Sequence, residues 1–160
     1  MLTDYTTYDD IRAALGVSDD DLPDTVLALP LYSAVLTQEF EDIDLDVENT
    51  YVTTELLSTP TAQDVRFMKA CELFATYCVA KQLTAALPLF AAKQVTDGKA
   101  QISRFDNPYK DVVTQVIAQY EKARARLVAA FNDVIAGTTV VIAKSYFGII
   151  NPSVDPVTGI

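Results

Sequence analysis

The sequence predicts a mainly all-α protein: a helical bundle with two long antiparallel helices, a projecting loop or hairpin between them, and an extended or β C-terminal arm. Apolar residues recur at helical spacing across residues 62–87 and 108–136. Residues 138–150 are instead rich in the β-branched and aromatic residues typical of strands. We therefore divide the chain into a bundle domain, residues 1–137, and a C-terminal strand and tail, residues 138–160.

The first quarter of the chain predicts two helices. In residues 6–16, TTYDDIRAALG, either threonine can cap a short helix whose first turn carries two aspartates, and Gly16 ends it. Ser18 and Asp21 resemble a capping box that starts a second helix. Pro30 should kink or break that second helix, because proline lacks an amide donor and clashes with the preceding turn.

Residues 41–54, EDIDLDVENTYVTT, begin with alternating acidic and aliphatic residues. This period of two predicts an extended segment with one acidic face, lying as an exposed strand or loop over the helices. A calcium or magnesium site is a weaker interpretation. Oxygen ligands at alternate positions resemble the start of an EF-hand loop, but its glycine and its distal glutamate are missing.

The two long helices have recognisable ends. Thr61 and Asp64 form a predicted capping box for the third helix, whose apolar residues cover most of its circumference and place it at the centre of the bundle. Its predicted polar stripe is Arg66, Lys69, Glu72 and Thr76. Asn107 and Pro108 begin the fourth helix and Gly137 ends it. Its predicted apolar face is Val113, Ile117, Tyr120, Leu127, Phe131 and Val134.

The residue types present exclude most catalytic chemistry. The chain has no histidine, so a His general base and the usual zinc ligand sets are excluded, and its five glycines form no phosphate-binding loop. Cys71 and Cys78 are two helical turns apart, too far for a disulfide, and we interpret them as small core residues. Asp19 and Asp24 are the one carboxylate pair considered for acid–base catalysis, and solvated acids are the better interpretation. We expect no enzyme activity, no cofactor and no metal.

Charge is divided unevenly along the chain, whose net charge is −10. Residues 1–60 contain fourteen Asp or Glu and one basic residue, Arg12, whereas residues 61–160 contain eleven Lys or Arg and eight acids. A chain divided in this way can pair its own halves, or it can present an acidic face to one neighbour and a basic face to another. Sequence-specific DNA binding is not expected of so acidic a chain. No signal peptide or membrane span is evident, so we expect a soluble protein.

Five segments follow one another over residues 4–136: DYTTYDDIRAALGVSDDDLPD, LTQEFEDI, DVRFMKACELFATYCVAKQL, VTDGKAQISRF and NPYKDVVTQVIAQYEKARARL. Their order and spacing resemble the head–tail connector proteins of tailed bacteriophages, also called adaptor or head-completion proteins. The resemblance implies a viral structural protein, made in the host bacterial cytoplasm and located in the virion at the head–tail interface. Its subunits would form an oligomeric ring, usually of twelve copies. The ring would bind the portal protein and the tail nozzle or tube proteins and extend the DNA channel.

The same resemblance makes residues 95–106 a loop or hairpin that faces a neighbour. The basic positions of the fourth helix and the C-terminal strand, which needs a partner strand in residues 95–104 or in another chain, are further candidate contacts. The candidate partner-contact residues are Asp97, Gly98, Lys99, Arg104, Phe105, Lys122, Arg126, Val141, Tyr146 and Phe147. The alternative is a small helical binding or regulatory protein without catalytic activity.

Overall fold

The computed structural model describes residues 1–84, 94–97, 100–103 and 110–138, with side chains in residues 1–84 and 110–137. A short 3-10 turn, Leu2–Asp4, precedes the helices. The helices are α1 (Tyr8–Leu15), α2 (Asp24–Leu27), α3 (Pro30–Glu41), α4 (Val47–Glu55), α5 (Ala62–Leu83) and α6 (Lys110–Thr138). Between α5 and α6, β1 (Gln94–Asp97) pairs with β2 (Ala100–Ser103) in an antiparallel hairpin. The prediction of a mainly α-helical fold is confirmed.

The first helix has the predicted ends. The Oγ1 atom of Thr7 accepts a hydrogen bond of 3.1 Å from the backbone amide of Asp10, which caps α1. Gly16 follows the helix with a φ of 68°, a left-handed conformation that costs glycine little because it has no Cβ. Ile11 and Leu15 of α1 are buried. The predicted boundaries of this helix are confirmed.

The predicted helix start at Ser18 is wrong. The Ser18 hydroxyl and amide donate to Asp21 Oδ2 over 2.8 and 3.2 Å, but these bonds close an isolated turn. Helix α2 begins only at Asp24, after Pro23. The break predicted at Pro30 is confirmed, because Pro30 is the first residue of α3. A proline is favourable there since its missing amide would have no partner within the helix.

The extended segment predicted for residues 41–54 is also wrong, because Val47–Glu55 is helix α4. Val47, Tyr51 and Thr54 are spaced four and three residues apart and are all buried, so one face of a helix is covered. The alternating acids lie in the turn before this helix. There, Asp44 Oδ1 accepts a hydrogen bond of 2.9 Å from the Asp46 amide, which favours a turn over a strand.

Helix α5 is the central helix of the described bundle. Thr61 and Asp64 form the predicted capping box, with the Thr61 amide and hydroxyl donating to Asp64 Oδ2 over 2.8 and 2.7 Å. The core residues of this helix that are completely buried include Phe67, Cys71, Phe74, Ala75, Cys78 and Ala80. The capping box and the central position are therefore confirmed, as is the burial of both cysteines.

One member of the predicted polar stripe of α5 is not at the surface. Thr76 is buried, with its hydroxyl oxygen 2.6 Å from that of Thr6 and donating to the Glu72 carbonyl over 3.0 Å. Leu73, an apolar residue of the same helix, is 43% exposed. Because two hydroxyl groups can satisfy each other, Thr76 enters the core where a charged residue could not.

Helices α5 and α6 meet along their length. The rings of Phe67 and Phe131 have centroids 5.9 Å apart, and those of Phe74 and Tyr120 are 5.6 Å apart. The inner face of α6 differs from the predicted one, because Val116 is buried and Ile117 is 44% exposed. The remaining buried residues of α6 are Tyr120, Ala123, Leu127, Ala130 and Phe131.

Small side chains explain this difference. Ala123 and Ala130 are buried and allow α6 to approach α5 closely. The buried face of α6 therefore includes these alanines and is rotated from the face that its large apolar residues alone predict. Helix α6 extends to Thr138, one residue beyond the predicted end. The predicted start of this helix at Asn107 and Pro108 lies outside the described residues, as do residues 139–160.

Replacing Phe74 with alanine should lower the free energy of unfolding by about 3–5 kcal/mol, because the completely buried ring would leave a cavity in the core. Urea denaturation followed by circular dichroism measures the change. Leu73→Ala is the matched control. Leu73 is next to Phe74 in sequence but is 43% exposed, so its replacement should lower the free energy of unfolding by less than about 1 kcal/mol. Equal losses for the two variants would contradict the central position of α5.

Candidate interaction site

Three of the ten predicted contact residues lie within the described part of the chain. Asp97 ends β1 and pairs with Ala100 of β2. Lys122 and Arg126 are exposed on α6. The other seven lie outside the described residues: Gly98, Lys99, Arg104, Phe105, Val141, Tyr146 and Phe147.

A surface cavity of about 410 Å³ joins α5 to α6 around Arg126. We call this cavity the basic groove, and its lining residues are Ala62, Val65, Arg66, Lys69, Ala70, Leu73 and Arg126. The six residues from α5 recur at intervals of three and four, so they share one face of that helix. Apolar side chains and three cations therefore line one depression.

Two of the three cations in the basic groove form no ion pair with the residues whose side chains the structure describes. Nη1 of Arg66 lies 3.3 Å from Oδ2 of Asp133, so this charge is partly neutralised. Within residues 1–84 and 110–137, neither Lys69 nor Arg126 has a carboxylate oxygen within 4.0 Å. Val65 is 38% exposed, like the neighbouring Leu73. The groove thus suits an apolar side chain that is flanked by carboxylates.

The turn between α3 and α4 has the opposite character. We call residues 42–46, Asp-Ile-Asp-Leu-Asp, the acidic turn. Leu45 is 80% exposed, and its two neighbours, Asp44 and Asp46, are exposed as well. The Asp46 amide donates a hydrogen bond to Asp44 within this turn. An exposed leucine between carboxylates has the chemistry that matches the basic groove.

Arg12 ties α1 to the chain that follows it. Its buried guanidinium donates from Nη1 to Asp9 Oδ1 over 2.8 Å, from Nε to the Leu22 carbonyl over 2.9 Å, and from Nη2 to Asp24. The hydrogen bond with Asp24 is the main cause that raises the pKa of Arg12. Asp24 was half of the carboxylate pair considered for catalysis, and here it binds an arginine. An open cavity of about 700 Å³, also bordered by Asp19, lies at this corner.

A polar cluster joins α3, α5 and α6. The Tyr120 hydroxyl donates a hydrogen bond of 2.5 Å to Glu39 Oε2. Nζ of Lys81 lies 3.6 Å from Glu39 Oε1 and 3.7 Å from the centre of the Tyr120 ring. Burial raises the pKa of Tyr120, and the hydrogen bond and negative charge of Glu39 raise it further. The cluster fixes the relative positions of three helices at the C-terminal half of α5.

The described residues contain no group of three or more His, Cys, Asp or Glu side chains arranged to hold a metal ion. No helix among them is long and apolar enough to cross a membrane.

Cys71 and Cys78 are unpaired and buried, and burial raises the pKa of Cys78 to about 12. Both thiols therefore stay protonated in the folded protein at neutral pH and act as apolar core groups.

Sequence reasoning identified Arg126 but missed the groove around it. The available signal was the spacing of Val65, Lys69 and Leu73 at intervals of four, an apolar and basic stripe on one helix face. The position of α6 beside that stripe could not be derived from the sequence.

No protein-family model, no curated protein and no solved structure matches this chain. Function is therefore inferred from these surfaces and from the order of elements in the sequence.

Replacing Tyr120 with phenylalanine should lower the free energy of unfolding by about 1–2 kcal/mol at pH 8, because Glu39 loses its hydrogen-bond donor. Urea denaturation measures this change. Tyr77→Phe is the matched control, since the Tyr77 hydroxyl has no hydrogen-bond partner within the described parts of the chain. A loss in Tyr77→Phe as large as in Tyr120→Phe would contradict the polar cluster.

The difference in stability between the wild type and Tyr120→Phe should shrink as the pH rises above about 10, where a tyrosine in an unfolded chain ionises. The raised pKa means that folded Tyr120 keeps its proton at a pH where the unfolded chain has lost it. The stabilisation by Tyr120 is therefore fully present below the pKa of a tyrosine in the unfolded chain. It is lost as the pH approaches the pKa of Tyr120 in the folded protein. Urea denaturation of both proteins at pH 8, 10 and 11 tests this, and a constant difference would contradict it.

Proposed function

We propose that this protein is a non-enzymatic structural component of a tailed-bacteriophage virion, a head–tail connector subunit that forms a ring between the portal protein and the tail. The carrying observation is that one subunit has both an exposed acidic turn before α4 and a basic groove on α5 and α6. Two different complementary surfaces on one chain favour head-to-side association, which closes into a ring when the rotation between copies allows it. The order of elements along the chain supports the same class of protein.

The proposed spine of this subunit is the pair α5 and α6 in antiparallel arrangement. The early residue Phe67 of α5 contacts the late residue Phe131 of α6, and Phe74 contacts the earlier Tyr120, which supports this arrangement. Helix α6 has 29 residues and at 1.5 Å per residue is about 40 Å long. A ring of about twelve such subunits would line a channel for packaged DNA. The net charge of −10 on each chain disfavours tight binding to the phosphates of DNA, so DNA could pass through the ring without sequence-specific contacts.

A small helical binding or regulatory protein is the second candidate. The observation that favours it is the open cavity of about 700 Å³ beside Arg12, bordered by Asp9, Asp19 and Asp24. A protein of this kind would act as a monomer or dimer and would bind a partner at that corner. Because Arg12 is already hydrogen-bonded to two of these carboxylates, its charge is largely used within the chain. We therefore place this candidate second.

Electron microscopy of the protein mixed with the portal protein encoded in the same genome tests the connector proposal. Rings stacked coaxially on the portal are the expected result, and image classification gives the number of copies. The same preparation without portal is the control for spontaneous assembly. Monodisperse monomers that leave the portal unchanged would reject the connector proposal in favour of the second candidate.

Deleting residues 138–160 should leave the bundle folded and abolish assembly on the portal. The core of the described residues runs from Leu2 to Phe131, so no core side chain among them is removed. The predicted strand would lose its contact with a neighbouring chain. Deleting only residues 151–160 is the matched control, because it removes the proline-containing tail and keeps the strand. A loss of helical circular dichroism in the longer deletion would contradict the domain division.

A further inference from the structure

We propose that the acidic turn of one copy of this chain inserts into the basic groove of the next copy, with Leu45 on the apolar floor and its flanking aspartates against Lys69 and Arg126. This inference rests on the proposed function and specifies the surface through which the subunits of the ring would meet. The occupant of the groove is a second copy of the chain. Other ligands of the groove are outcomes that the experiment below distinguishes.

The apolar parts of the two surfaces are complementary. Leu45 is 80% exposed and lies between two exposed aspartates. The groove, at about 410 Å³, provides Ala62, Val65 and Leu73 as apolar contacts, and the last two are themselves partly exposed. Contact between the surfaces would remove the exposed parts of Leu45, Val65 and Leu73 from water.

The charges of the two surfaces are complementary too. The acidic turn carries Asp42, Asp44 and Asp46, all exposed. The groove carries Lys69 and Arg126, which have no carboxylate within 4.0 Å among the described residues, and Arg66, which has one. Carboxylates beside an inserted leucine would face these cations, which orients the contact and rejects copies in the wrong register. The acidic turn thus fits the groove in both its apolar and its charged parts.

The positions of the two surfaces favour contact between copies. Phe74 of α5 packs against Phe40 of α3 with ring centroids 5.5 Å apart. Leu73, the residue before it, lines the groove, and adjacent residues of an α-helix point about 100° apart. The groove and the helix that leads to the acidic turn therefore lie on different faces of α5. A contact between different faces of two copies is heterologous, so each open assembly has one free groove and one free turn. These two pair with each other when the ring closes.

Two charge-reversed proteins test this interface. The groove variant carries Lys69→Glu and Arg126→Glu, both at exposed positions. The turn variant carries Asp42→Lys and Asp46→Lys. Asp42 follows the C-terminus of α3, where a cation is favourable. Asp46 is the N-cap residue of α4 and makes no side-chain capping hydrogen bond, but a lysine there faces the positive end of the helix dipole and lowers stability. Circular dichroism checks that both variants are folded.

Sedimentation velocity and electron microscopy on the portal then measure assembly of the wild type, of each variant alone and of an equimolar mixture. Each variant alone should associate at least about tenfold more weakly than the wild type, because like charges face each other. The mixture should regain assembly, since each groove then meets a turn of opposite charge.

Leu45→Ser and Leu56→Ser are matched for exposure, at 80% and 79%. The first should weaken association and the second should not, because Leu56 lies outside the acidic turn.

The outcomes separate this inference from the connector proposal. Wild type that forms no assembly, alone or on the portal, rejects both. Rings on the portal that persist in both charge-reversed variants, or that are lost in each variant and not regained in the mixture, reject the interface and leave the connector proposal intact. Equal effects of Leu45→Ser and Leu56→Ser also reject the interface. Recovery in the mixture together with a selective effect of Leu45→Ser establishes it.

Discussion

The ring of Phe74 connects three helices, and the arrangement of the rest of the bundle depends on this contact. It packs against Phe40 of α3 at 5.5 Å and against Tyr120 of α6 at 5.6 Å, measured between ring centroids, and it is completely buried. Because aromatic rings bury a large apolar area and prefer defined tilted geometries, such a contact restricts both distance and orientation. The polar cluster of Glu39, Lys81 and Tyr120 adds directional bonds between the same three helices. Apolar burial thus positions the helices, and the hydrogen bonds select one arrangement among those that burial allows.

This arrangement distributes the charges of the chain over separate surfaces. The acids of the N-terminal region have one basic residue nearby in sequence, Arg12, and the fold buries it in bonds to Asp9, Asp24 and the Leu22 carbonyl. The exposed acids of the following turn therefore have no basic residue of their own region to neutralise them. Several cations without a carboxylate within 4.0 Å among the described residues lie instead on α5 and α6, and they include Lys69 and Arg126. A chain whose opposite charges are held apart by a rigid core favours association with a partner of complementary charge, and another copy of the same chain meets that requirement.

Local chemistry made several elements predictable. The caps of α1 and α5 depend on side chains that bond to amides three residues away, so Thr7 and the Thr61–Asp64 pair act within a single turn whatever the rest of the chain does. Pro30 ends one helix and begins the next for an equally local reason. The same local signals failed at Ser18, where a capping-type turn forms without a helix after it, and at residues 41–54. There the alternation of acids and aliphatic residues was real but ended at the point where Val47 and Tyr51 begin to pack against the bundle.

The sequence by itself determined the helical class, both ends of α1, the start of α5, the burial of Phe74, Cys71 and Cys78, and the uneven division of charge, because each depends on residue type and short spacing. Only the tertiary structure decided which face of α6 turns inward, that Thr76 is buried beside Thr6, and that Arg126 lies next to Lys69 and Val65. Those features depend on contacts between residues far apart in the chain. Small side chains such as Ala123 and Ala130 set the approach of two helices, and no local pattern encodes the resulting rotation.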